Sequence, residues 1–85
     1  MVQFNLEKWF AYLTTSLKSV RGRKTRFSRV RPIIGENAVS LDCGHAIMEA
    51  GILGQEVYLR YAGSVHHTAD RETVTLWREL IETVK

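Results

Sequence analysis

Basic residues are concentrated in one part of the 85-residue chain, positions 18–31. This basic segment contains no acidic residue, and its lysines and arginines are Lys18, Arg21, Arg23, Lys24, Arg26, Arg29 and Arg31. Arginine donates two hydrogen bonds at once to a phosphate, and each phosphate that a basic side chain neutralises releases counterions from a nucleic acid. The segment therefore predicts contact with an anionic partner, either nucleic acid or an acidic protein surface.

The rest of the chain has the opposite charge. From Pro32 to the C-terminus, four basic residues stand against eight acidic ones, which gives −4, whereas the whole chain carries +3. Such a polarised charge says more about partners than the total charge does. We expect one positive surface on an otherwise acidic molecule.

Aromatic side chains add to this prediction, because single-stranded nucleic acids stack their bases on aromatic and guanidinium groups. Phe27 lies inside the basic segment, and Tyr58 and Arg60 share the polar side of a predicted strand. The complete predicted set for binding phosphate or a partner is Lys18, Arg21, Arg23, Lys24, Arg26, Phe27, Arg29, Arg31, Tyr58 and Arg60.

This pattern leaves the identity of the partner open. The favoured hypothesis is a small non-enzymatic protein that binds nucleic acid, either DNA or RNA. The alternative is an inhibitor of the kind that phages and other mobile elements use, the anti-CRISPR-like class, which binds and occludes a host or defence protein. A merely solvated charged face is a third interpretation, since arginines on an edge strand also prevent aggregation. Homodimerisation through an edge strand or a helix flank is also open.

Cysteine and histidine suggest a lesser alternative, a zinc-stabilised module. The residues are Cys43, His45, His66 and His67, whose types suit zinc but whose spacing matches no familiar finger pattern. We favour a buried free thiol with two solvent-facing loop histidines, and therefore expect no metal and no cofactor.

Enzymatic activity is the least supported class. A Cys43 nucleophile would need a histidine base within reach, an anion hole and a cleft, for which so short a chain leaves little room. The glycine motifs of phosphate loops and dinucleotide folds do not occur in the sequence. We predict that the protein is not an enzyme.

Composition predicts a single compact domain over residues 1–85. Hydrophobic residues make up 45% and charged residues 25% of the chain, as in globular domains. One cysteine cannot form an internal disulfide, which favours a reducing compartment, the cytoplasm or a host cytoplasm. No apolar run reaches the roughly 20 residues that a membrane span needs.

Two amphipathic helices are predicted at the ends of the chain. The first covers residues 6–21, with Asn5 as its N-cap and Gly22 beyond its end. The last begins after Asp70 and carries Trp77 on its apolar stripe. We expect Trp9 and Trp77 in the core, whereas Tyr12 lies off the main stripe of the first helix.

Strands are predicted between these helices. Residues 25–34 read as an edge strand interrupted by Pro32, and residues 35–37 as a turn into a second strand. Residues 57–62 alternate as a third strand.

The remaining stretches complete the predicted fold. Between the second and third strands, residues 45–53 have helical spacing, and residues 64–69 read as a loop. The expected fold is α+β, in the order α-β-β-α-β-α, with a three-stranded antiparallel or mixed sheet packed by two long terminal helices.

Overall fold

Two helices and five strands form the part of the chain that the structure, a computed structural model, describes: residues 5–19, 30–42 and 46–84. In chain order they are α1 (Leu6–Ser19), β1 (Val30–Pro32), β2 (Ala38–Asp42), β3 (Ile47–Leu53), β4 (Glu56–Tyr61), β5 (Ser64–Thr68) and α2 (Arg71–Val84). The predicted α+β class is confirmed. The predicted order and the predicted number of strands are wrong.

The strands form one antiparallel sheet in the order β1-β2-β3-β4-β5, so each strand pairs with the next along the chain. Short turns make this possible. Gly54 has a φ of 64° in the turn between β3 and β4. Between β4 and β5, Ala62 and Gly63 have φ values of 50° and 83°, and two positive φ values are what a type I′ hairpin turn requires.

The largest correction concerns residues 45–53, predicted as a helix. Residues 47–53 form β3, in which Met48 and Ala50 are buried while Ile47 and Leu53 are exposed. The central position of β3 explains the difference, because this strand pairs with β2 on one side and β4 on the other. Hydrogen bonding and burial from two neighbours outweigh a local helical spacing of apolar residues.

A second correction concerns residues 64–69, predicted as a loop. Most of this stretch is the edge strand β5. The hairpin turn before it places alanine in a positive-φ position that asparagine or glycine usually occupies, so the turn had no strong sequence signal.

Both helices begin where their capping residues predict. The amide of Lys8 donates to Asn5 Oδ1 at 3.0 Å, and the amide of Thr73 donates to Asp70 Oδ2 at 3.0 Å. These side chains satisfy amide groups that a helix leaves without an internal partner in its first turn. The predicted continuation of α1 to residue 21 lies outside the described residues.

The predicted edge strand and its hairpin are confirmed where they are described. Of residues 25–34, positions 30–32 form the edge strand β1, which suits Pro32 because proline cannot donate to a sheet ladder. Turn residue Gly35 has a φ of 83° and leads into β2.

The hydrophobic core lies between the two helices and one face of the sheet. Its largest fully buried side chain is Trp77, whose Nε1 donates to the buried Thr14 Oγ1 at 3.0 Å. Trp9 is half-buried at the margin of this core, and Tyr12 is exposed. The sheet contributes Val39, Leu41, Met48, Ala50, Val57 and Leu59, and the helices contribute Phe10, Leu13, Leu17, Val74, Leu80 and Ile81.

Neither of the two described helices has both the length and the apolar character that crossing a membrane requires.

Candidate functional site

The other face of the sheet is covered by no described helix, and we call it the open face. Its side chains alternate along each strand with those of the core. One row crosses all five strands and consists of Arg31, Ser40, Glu49, Arg60 and Val65. The adjacent row consists of Ala38, Gly51, Tyr58 and His67. The open face thus combines polar and charged side chains with the small residues Ala38, Ser40 and Gly51.

The hydroxyl end of the Tyr58 ring lies over Gly51, its cross-strand partner on β3. A Cβ added to Gly51 would lie 2.6 Å from Tyr58 Oη and 2.8 Å from Ala38 Cβ. Contacts this short do not occur between real side chains, so the tyrosine ring occupies space that only glycine leaves free. Gly51 therefore determines where the Tyr58 side chain lies.

Tyr58 contacts both Glu49 and Arg60, and we call these three residues the Tyr58 cluster. Its hydroxyl donates to Glu49 Oε2 at 2.7 Å. Arg60 Nη1 lies 3.7 Å from the same oxygen, and its guanidinium carbon lies 5.5 Å from the centre of the Tyr58 ring. Burial, followed by the hydrogen bond and the charge of Glu49, raises the pKa of Tyr58 to about 12. The phenol is therefore a neutral hydrogen-bond donor.

A groove of about 490 Å³ lies next to this cluster on the open face. Among the residues that the structure describes, the ionisable ones that line it are Glu36, Glu49, Glu56, Arg60, Tyr58 and His67. With neutral histidine and tyrosine, the three carboxylates and one guanidinium of these described residues sum to −2. The groove is therefore acidic, although the chain as a whole is basic.

Apolar side chains are exposed around the same groove. Leu53 is 75% exposed and Val65 is 44% exposed, and both line it. Ile47 is 68% exposed on the same face but lies at the other end of β3, away from this groove. Aliphatic groups grouped around a concave polar site are typical of surfaces that bind other molecules.

The structure separates the described members of the predicted binding set. Arg31 is exposed on the open face, which also carries Tyr58 and Arg60. Arg31 and Arg60 are three strand spacings apart, roughly 14 Å. Lys18 lies in the helical layer instead, where its Nζ is 3.1 Å from Glu72 Oε1. The other members, Arg21, Arg23, Lys24, Arg26, Phe27 and Arg29, lie outside the described residues.

The two adjacent histidines point in opposite directions, because successive residues of a strand face opposite sides of the sheet. His66 makes an edge-to-face contact with Phe10 of α1, with ring centroids 5.4 Å apart. His67 lies on the open face, where its Nδ1 is 3.3 Å from Glu56 Oε2. Because their rings lie on opposite sides of the sheet, the two histidines cannot bind the same zinc ion. The other two predicted zinc ligands, Cys43 and His45, lie outside the described residues. No metal-binding group of three or more His, Cys, Asp or Glu occurs within the described ranges.

Sequence reasoning missed Glu49, Gly51 and Glu56 as site residues. The first two were assigned to a helix, where they would not face Tyr58. Met48 and Ala50 alternate with polar or exposed neighbours, and this alternation is typical of a strand. The helical spacing of the apolar residues in the same stretch obscured that pattern.

Comparisons with protein-family models, with curated proteins and with solved structures give no match for this chain. The function therefore has to be argued from the residues and their arrangement.

Proposed function

We propose that this protein is a small non-enzymatic binding protein that engages nucleic acid through its basic segment. The supporting observation is the concentration of seven basic residues, without an acidic one, in positions 18–31. The last of them, Arg31, is exposed on the edge strand β1. A cytoplasmic location belongs to the same proposal, since the lone cysteine suits a reducing compartment.

The arrangement of charges narrows which residues contact phosphate. Arg31 pairs directly with Ser40 and not with an acidic residue. Arg60 lies beside Glu49 and the acidic groove, which repel phosphate. We therefore expect the backbone of a nucleic acid to approach the β1 edge, with Arg31 in contact and with Tyr58 and Arg60 contributing less.

Salt-dependent binding tests this proposal. The nuclease-treated protein is titrated into fluorescently labelled single-stranded DNA, duplex DNA and RNA, and anisotropy is followed over a range of salt concentrations. Arg31→Gln should weaken binding and reduce the slope of log affinity against log salt by about one. Arg78→Gln is the matched control, because Arg78 is an exposed arginine on α2 outside the basic segment.

Two results would overturn the proposal. One is the absence of binding to all three nucleic acids at low salt. The other is an equal loss of affinity in Arg31→Gln and Arg78→Gln, which would indicate non-specific attraction to a positively charged protein.

A second candidate function is supported by the open face. An inhibitor that binds and occludes another protein needs a surface with apolar groups, and Leu53, Val65 and Ile47 provide exposed ones there. A pull-down with nuclease treatment separates the two candidates. A stoichiometric protein partner that survives nuclease supports inhibition, whereas loss of all bound material supports nucleic-acid binding.

A further inference from the structure

We infer that the groove on the open face binds an extended peptide segment of a partner protein, one that combines basic and aliphatic side chains. This inference rests on the second candidate function, protein binding, and is independent of nucleic-acid binding by the basic segment. It specifies the chemistry of the partner from the charges and the apolar groups of the groove.

Charge excludes acidic ligands from this groove. Glu36 forms no ion pair with a described residue, and the partner of Glu56 among these residues is His67, which is charged only when protonated. Among the described residues of the lining, the one cation is Arg60, which is already directed at Glu49. A phosphate or an acidic side chain would meet two carboxylates that lack a fixed counter-charge, whereas a lysine or arginine would neutralise them.

The apolar groups lie beside these carboxylates. Leu53 and Glu56 are directly paired across β3 and β4, so an aliphatic group and an acid are neighbours on one surface. Val65 lies on β5, in the row adjacent to that of His67. A ligand that fits this surface presents an aliphatic side chain next to a basic one, and an extended peptide does so with alternate residues.

The floor of the groove is held in place before any ligand arrives. The ring of Tyr58 lies across Gly51, and its hydroxyl is bonded to Glu49. Little ordering of these groups is needed on binding, which favours affinity because ordering side chains costs free energy. The groove volume of about 490 Å³ lies within the range of ligand-binding clefts.

Peptide display tests the inference with the full chain. Random peptides of about ten residues, long enough to cross the sheet when extended, are selected against the nuclease-treated, immobilised protein. We expect the selected peptides to combine lysine or arginine with leucine, isoleucine or valine. Their addition to the ¹⁵N-labelled protein should shift the amide signals of Leu53, Val65 and His67, and leave those of α2 unchanged.

Matched charge variants identify the site. The double variant Glu36→Gln/Glu56→Gln should lower the affinity for a selected peptide about tenfold or more. The control Glu79→Gln/Glu82→Gln removes the same charge from exposed positions of α2 and should bind normally. Selection of acidic peptides alone, no selection above background, or equal binding by both double variants would overturn the inference.

Each proposal can fail separately in these experiments. If the complex with a partner protein persists in Glu36→Gln/Glu56→Gln, the second candidate function stands, but the groove is not the site that binds the partner. The affinity for nucleic acid, measured by anisotropy with the same variant, should not fall, because the variant leaves the basic segment unchanged.

Discussion

The two faces of the sheet are built from the same strands, yet one is covered by the two helices and the other by no described helix. Six core side chains on the covered face lie beneath two helices and are nearly inaccessible to water. On the open face, Glu49, Tyr58 and Arg60 bind one another beside exposed Leu53 and Val65. Alternation along the strands thus lets stability depend on one face while the other is free to bind partners.

The largest expected difference between the faces comes from removing one leucine from each. Leu59→Ala deletes a fully buried side chain, and we expect the free energy of unfolding to fall by about 2–5 kcal/mol. Leu53→Ala removes the same atoms from an exposed position and should change the free energy of unfolding by less than about 0.5 kcal/mol. Urea unfolding of both variants measures the contrast, and similar losses would contradict the assignment of the faces.

The next largest effect is expected on the open face at Gly51. Gly51→Ala places a methyl group against Tyr58 and Ala38, and we expect a loss of about 1–3 kcal/mol. In the double variant Gly51→Ala/Tyr58→Ala the clash with the ring is absent, so the two losses should not add. Additive losses in a double-mutant cycle, measured by urea unfolding, would show that the ring does not lie across Gly51.

Tyr58→Phe tests the hydrogen bond of the Tyr58 cluster and should cost about 1 kcal/mol at neutral pH. The wild type should lose this advantage in alkali. The pKa is about 12 in the folded protein against 10.0 without perturbation, so the unfolded chain ionises first. The stabilisation is therefore present below pH 10.0 and is lost as the pH approaches 12. Urea unfolding of the wild type and of Tyr58→Phe across this pH range measures the difference in their free energies of unfolding. A difference that stays constant with pH would refute the prediction.

The smallest effect is expected in the helical layer that covers the sheet, at the N-cap of α2. Asp70 accepts bonds from the amide and the hydroxyl of Thr73, and these bonds lower the pKa of its carboxyl. The carboxylate therefore stabilises the fold at pH values above its ordinary pKa of 3.8, and this contribution is lost as the pH falls through the lowered pKa.

Two substitutions separate the cap from its charge. Asp70→Ala should decrease stability slightly at neutral pH, because an amide of the first turn loses its acceptor. Asp70→Asn keeps an acceptor and should retain most of the stability while removing the dependence on acid pH. Thermal unfolding followed by circular dichroism between neutral and acid pH compares them, and an unchanged acid profile in Asp70→Asn would contradict the prediction.

Local signals in the sequence predicted both helix starts, the turn at residues 35–37 and the edge position of β1. These features depend on a few neighbouring residues: Asn5 and Asp70 as caps, Gly35 for a positive φ, and Pro32 as a residue that cannot donate to a ladder. The alternation of Tyr58 and Arg60 with buried Val57 and Leu59 was equally local, so both polar side chains were placed on one face. Their binding role stays a prediction.

By itself, the sequence determined the α+β class, the caps and the charge asymmetry, because each is encoded in residue types and short spacings. Only the tertiary structure decided that residues 47–53 form the central strand and that Lys18 pairs with Glu72 in the helical layer. It also decided that Gly51 lies beneath Tyr58 in an acidic groove. The physical reason is that strand pairing and burial involve residues distant in the chain, and their combined free energy exceeds a local preference for helix.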